Sequence, residues 1–139
     1  MIANLERAKD LLRQEQYTCV MCKEEKGYTS KERGVKPLLK WIEEEIDVRG
    51  FAVADKVVGK GAAFLYVLLG VKEIYALVIS KAAVEVLETY HITVTYERKV
   101  EAIKNRTGTG LCPMEQGTKD IDNPAEALVA IRNILSRLG

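Results

Sequence analysis

The segment Phe51-Ala52-Val53-Ala54-Asp55-Lys56-Val57-Val58-Gly59-Lys60, continued to Gly70, carries a short apolar strand directly into an apolar helix. Phe51 to Ala54 reads as the strand, or as an extended entry. Asp55 then takes the N-cap position, where a carboxylate accepts hydrogen bonds from the free N–H groups of the first turn. The helix runs to about Leu69 and is apolar nearly all round after Gly61, which is the pattern of a buried helix. Gly70 is its stop. Glu73 to Ile79 is a further strand, and Ser80 caps a helix carrying Ala83, Val86 and Leu87. Strands separated by helices in this way argue for a layered α/β domain.

The flanking sequence extends the same pattern. Leu5, Ala8, Leu11 and Leu12 recur at helical spacing and predict a first helix up to about Glu15. Tyr17 to Cys22 reads as a strand, Gly27 as a turn, and Tyr28-Thr29 as a returning strand. That antiparallel pair makes the expected sheet mixed. Val35, Leu38, Leu39, Ile42 and Ile46 form a helical stripe, with Pro37 tolerated only near its start. His91 to Tyr96 is a strand. Asn123, Pro124 and Glu126 mark the start of a last helix with the stripe Leu128, Ile131, Leu135 and Leu138. No repeat or low-complexity linker divides the chain, so residues 1–139 are expected to form one domain.

The 139 residues suffice for a real core. Lys and Arg number 21 against 20 Asp and Glu, and aromatics are 6% of residues, so nothing marks a nucleic-acid footprint. The longest apolar run, Gly61 to Val71, is well short of the ~20 residues a membrane span needs. The start lacks the apolar core of a signal peptide. A cytoplasmic protein with reduced cysteines is the expectation.

Two clusters carry the chemistry. With Lys56 and Lys60 on one helix face, like charges repel each other and the positive end of the helix dipole. A small anionic ligand docked there relieves both penalties. Gly59 and Gly61 would let it approach closely. The plainer reading is two lysines reaching solvent beside a core helix. The second cluster is Asn105-Arg106-Thr107-Gly108-Thr109-Gly110-Leu111-Cys112-Pro113-Met114-Glu115. Its glycines can present backbone N–H groups in a concave nest, and Arg106 can grip a carboxylate or phosphate in bidentate fashion. Cys112 is a candidate nucleophile, with Glu115 near it as acid, base or orienting group. The plainer alternative is a tight structural loop with an inert cysteine. The expected ligand-binding set is thus Asp55, Lys60, Asn105, Arg106, Thr107, Gly108 and Gly110, and the expected catalytic set is Cys112, Glu115 and Lys56.

Cys19 and Cys22 have redox spacing, but on a strand residues three apart point to opposite faces. Core cysteines are the better reading than a redox pair. A Cys₃His zinc site from Cys19, Cys22, Cys112 and His91 would draw on three separated segments, and no metal or cofactor is expected.

Arg33-Gly34-Val35-Lys36-Pro37-Leu38-Leu39, Ala54 to Lys60, and Asn105 to Glu115 resemble an uncharacterised bacterial domain-of-unknown-function family placed in the cytidine-deaminase-like superfamily. The resemblance covers about Tyr17 to Leu138. It implies a three-layer α/β/α sandwich around a mixed, about five-stranded sheet. True zinc deaminases carry H-x-E at one helix start and P-C-x-x-C at the next. The matching starts here, Asp55-Lys56 and Ser80-Lys81-Ala82-Ala83, offer no such ligands. The resemblance also implies that the Asp55–Lys60 turn lies at the superfamily's usual pocket.

Besides a redox-responsive protein using Cys19 and Cys22, two functional expectations follow. One is a metal-independent enzyme or binding domain for an anionic, nucleotide-like small molecule, with Cys112 as the reactive thiol. The other is a non-catalytic regulatory or scaffold domain that acts by self-association, as a homodimer. Neither nucleic acid nor membrane is an expected partner.

Overall fold

The computed structural model describes residues 3–14, 16–32, 34–104, 108 and 110–138. Among them the chain order is α1 (Asn4–Gln14), β1 (Cys19–Lys23), β2 (Lys26–Ser30), α2 (Lys36–Glu43), β3 (Ala52–Val58) and α3 (Lys60–Leu69). Then come β4 (Glu73–Ser80), α4 (Lys81–Thr89), β5 (Thr93–Val100), α5 (Pro113–Thr118) and α6 (Pro124–Leu138). The strands form one mixed sheet in the order β2-β1-β3-β4-β5. β1 is antiparallel to both β2 and β3, whereas β3, β4 and β5 are parallel.

Both faces of the sheet are covered, unequally. On one side α1 alone sets Ala8 and Leu12 against Val20, Cys22, Ala54 and Tyr75. The main core fills the other side, where α2, α3, α4 and α6 contribute. The strand period of two divides β1 between them: Cys19 and Met21 join the main core, Val20 and Cys22 the α1 side. All four are buried, so β1 shows no polar alternation. The two cysteines therefore sit on opposite faces, as their spacing on a strand predicts.

Helix α3 packs against α2, α4, α5 and α6 as well as β3. That encirclement is the physical reason for a sequence apolar nearly all round. Gly70 ends it at φ +76°, its N–H reaching the Tyr66 and Val67 carbonyls. The expected caps Ser80 and Asn123 are in place: Ser80 Oγ accepts from Ala83 N at 3.2 Å, and Asn123 Oδ1 from Glu126 N at 2.9 Å.

The largest departure from the sequence reading concerns Asp55. Strand β3 does not stop at Ala54 but continues through Asp55 to Val58, because β-branched Val57 and Val58 pair with Val78 and Ile79 of β4. Asp55 is thus a strand residue, and the N-cap of α3 is Gly59. Lys56 lies on β3 and Lys60 opens α3, so the two lysines share no helix face. The hairpin turn also moves, to Glu24-Glu25 with Glu24 at φ +54°, while Gly27 sits inside β2 opposite Cys22. The short α5, with Pro113 in its first turn, adds a helix directly after the glycine-rich loop.

Candidate functional site

The carboxyl ends of β3 and β5, the start of β1 and the segment after β2 meet at one edge of the sheet. A cavity of about 620 Å³ opens there, lined by Lys31, Asp55, Lys56, Lys104, Cys112 and Glu115 among others. The carboxyl edge of parallel strands is where open α/β sheets place ligands. The volume lies within the range typical of small-molecule sites.

Glu115 organises the wall. Its Oε1 accepts from Lys60 N at 2.7 Å and lies 3.5 Å from Ser80 Oγ, and its Oε2 accepts from Ile103 N at 2.9 Å. The side chain is buried. An anion does dock at the start of α3, and it is the chain's own carboxylate, 55 residues away in sequence. Gly59 makes that possible: a Cβ there would stand 2.8 Å from Glu115 Oε1. Both carboxylate oxygens are engaged by backbone donors, an arrangement suited to holding three segments together. Cys112 N donates to Ile103 O at 2.9 Å and Lys104 bridges to Leu111, closing the base of the loop.

Asp55 has a different environment. Its Oδ2 accepts from Tyr66 Oη at 2.5 Å, and Tyr66 Oη lies 3.1 Å from Cys19 Sγ. Only 8% of Asp55 remains exposed. Burial pushes its carboxyl up to about 7, against the opposing pull of the Tyr66 hydrogen bond and of the nearby Val57 and Lys56 amides. Burial also raises the Tyr66 phenol and the Cys19 thiol well above their ordinary values, with the nearby Asp55 charge adding to both. A carboxyl poised near neutrality in a cavity is a recurrent mark of a functional site. The available sequence clue was Tyr66 in a wholly buried helix, since a buried phenol needs a partner.

Of the expected site residues, the cavity brings together Asp55, Lys56, Cys112 and Glu115. Cys112 is half-buried. Lys60 goes elsewhere: its Nζ donates to Lys119 O at 2.8 Å, beside the Phe64 ring. Gly108, at φ +71°, and Gly110 are exposed and do not line the cavity. Asn105, Arg106 and Thr107 lie outside the described residues. Lys31 and Lys104 line the cavity without a sequence signal, because neither belongs to a motif.

Residues 7–135 match the family model TM1506, described as "Domain of unknown function (DUF1893)". The chain belongs to the DUF1893 family. Its fold matches the crystal structure of a DUF1893 family protein, TM1506, from Thermotoga maritima, with a TM-score of 0.85 and 27% sequence identity. That match covers 99% of this chain and 92% of the Thermotoga chain. No curated protein matches the chain. Among the described residues of this DUF1893 chain, no helix is long and apolar enough to cross a membrane.

Proposed function

We propose that the chain binds a small anionic, nucleotide-like molecule in the cavity at the carboxyl edge of its sheet, with Cys112 as the reactive group presented to it. The observation that carries this reading is the cavity lining, which unites Lys31, Lys56 and Lys104 with Cys112 and Asp55. None of the four ion pairs found among the described residues uses any of these lysines. Three cations without a carboxylate partner among the described residues, around one concavity, focus a positive field, which favours an anion. The start of α3 adds to it. Lys60 N–H is taken by Glu115, while Gly61 and Ala62, whose N–H groups have no partner within the helix, also line the cavity.

The resemblance to the cytidine-deaminase-like superfamily supports the same location. The residues at the two corresponding positions, Asp55-Lys56 and Ser80 to Ala83, are not the His and Cys ligands of a zinc deaminase. The chemistry proposed therefore rests on the thiol.

Calorimetric titration with a series of nucleoside monophosphates tests the reading. We expect saturable binding at one site per chain, and a loss of about tenfold in affinity for Lys56→Ala, the size of a single charge-assisted contact. Alkylation of Cys112, followed by peptide mass spectrometry, should slow when the site is filled. A series that yields no saturable binding rejects the proposal.

A further inference from the structure

The cavity holds two carboxyls, and their hydrogen bonds differ in kind. Both oxygens of Glu115 accept from backbone amides, so its charge is matched. Asp55 has one oxygen matched: Tyr66 Oη donates to Oδ2. Among the described residues, Oδ1 has only a long contact, 3.4 Å from Val57 N, since the Lys56 amide donates to Thr18 O at 3.0 Å. Behind Tyr66 stands Cys19, whose thiol can donate to the phenol oxygen, so that Tyr66's own proton is committed to Asp55. A proton on Asp55 then belongs on Oδ1, in a residue that lines the cavity.

We propose that Asp55 is the specificity-determining group of the cavity, donating a hydrogen bond from its protonated Oδ1 to an oxygen of the bound anion and taking up one proton from solvent when that anion binds. The inference rests on the anion-binding reading above. Its physics is mutual: an ionised Asp55 repels an incoming anion in a poorly solvated site, and a bound anion disfavours ionisation of Asp55. A neutral carboxyl instead supplies a donor, which selects ligands with an acceptor oxygen at that point. Because burial already holds Asp55 near neutrality, little free energy is needed to keep the proton on.

The other groups around Asp55 are few. Cys19 from β1 and Tyr66 from α3 face it directly, and β4 presents Ala76. Lys31, Lys56, Lys104, Cys112 and Glu115 share the cavity. α1 packs on the far face of the sheet. The lone histidine, His91, precedes β5 and so lies at the opposite edge. Of these, Cys112 is the half-buried thiol that shares the cavity. A Cys112→Ser variant therefore separates the two.

Sulfate is the probe, because it does not itself titrate across the relevant range. Calorimetry on the full chain at about pH 6 and about pH 8.5 should show sulfate affinity falling at least tenfold, the direction set by one-proton linkage. Near neutrality and above, repetition in two buffers of different ionisation enthalpy should show net proton uptake. Cys112→Ser should keep the pH dependence, and Asp55→Asn should lose both dependence and uptake. Sulfate binding that is independent of pH, or a dependence lost in Cys112→Ser, overturns the inference and leaves the anion-binding reading standing. Absence of sulfate binding at both pH values rejects this inference. Nucleoside monophosphates tested alongside show whether the anion-binding reading falls with it. The wild-type buffer comparison needs no variant, so it decides the matter even if Asp55→Asn folds poorly.

Discussion

Helices α3 and α4 leave neighbouring parallel strands at the same edge of the sheet, yet their first turns are closed by different means. α4 is capped from within its own sequence, by Ser80 three residues before the amide it binds. α3 has glycine at its cap position, and the carboxylate that serves its first turn comes from Glu115. A local cap can be read from four residues. A cap borrowed across 55 residues depends on the path of the whole loop between β5 and α5. The borrowed cap also builds something that the local one does not: it pins the wall of a cavity.

The largest expected effect comes from removing the borrowed cap. Glu115→Ala leaves the part-buried Lys60 N and Ile103 N without their acceptor, and should lower stability by about 3 kcal/mol in chemical denaturation. If the loss were no larger than that of an exposed cap, the carboxylate would not be holding α3 and the loop together.

Asp55 provides the next test, because it stands where the sequence places the cap of α3. A capping carboxylate has a lowered pKa, and its stabilisation is lost as pH falls. A buried strand carboxyl raised to about 7 behaves oppositely. The folded protein then holds the proton to higher pH than the unfolded chain does. The stability it contributes is fully present below the ordinary carboxylate range and is lost as pH rises through about 7. Relative to Asp55→Asn, the wild type should lose about 2 kcal/mol between about pH 5 and pH 8.5. Denaturant unfolding at both pH values measures the difference, and a change of the opposite sign would restore Asp55 to the role of a cap.

Gly59→Ala comes next. Its Cβ would stand 2.8 Å from Glu115 Oε1 and 3.3 Å from Ile103 Cγ1, so the clamp must shift. A loss of about 2 kcal/mol is expected from this overpacking, with sulfate binding weakened in parallel because the cavity wall moves. Unchanged stability would mean that Glu115 tolerates displacement.

The smallest expected effect belongs to the local cap. Ser80→Ala should cost about 1 kcal/mol, the ordinary value of a hydroxyl cap. Ser80 Oγ also lies 3.5 Å from Glu115 Oε1, so the two caps meet. A double-mutant cycle between Ser80 and Glu115 should show a small coupling, because that contact is long.

The elements that the sequence predicts well are those whose causes are local. Gly70 stops α3 because glycine adopts φ +76° without strain. Asn123 and Pro124 start α6 because an acceptor side chain and a fixed φ suit a first turn. Cys19 and Cys22 divide between the two cores because strand side chains alternate. The mixed sheet of five strands and the apolar central helix follow from the same kind of evidence. The boundary at Asp55 is not legible locally, because Asp before an apolar run is an equally good cap signal and pairing with β4 extends the strand past it.

The site divides in the same way. Of the residues that the sequence selects, Asp55, Lys56, Cys112 and Glu115 line the cavity, whereas Lys60, Gly108 and Gly110 do not, and Asn105, Arg106 and Thr107 lie outside the described residues. The sequence says nothing of what each side chain touches. Tertiary structure decides that Glu115 is a clamp, that Lys60 turns to Lys119, and that Lys31 and Lys104 join the cavity from separate segments. It also decides that Asp55 is paired with Tyr66 in a place where water is scarce. The reason is range: backbone preference acts over a few residues, whereas desolvation and hydrogen-bond partnership depend on whichever segments the folded chain brings within about 3 Å.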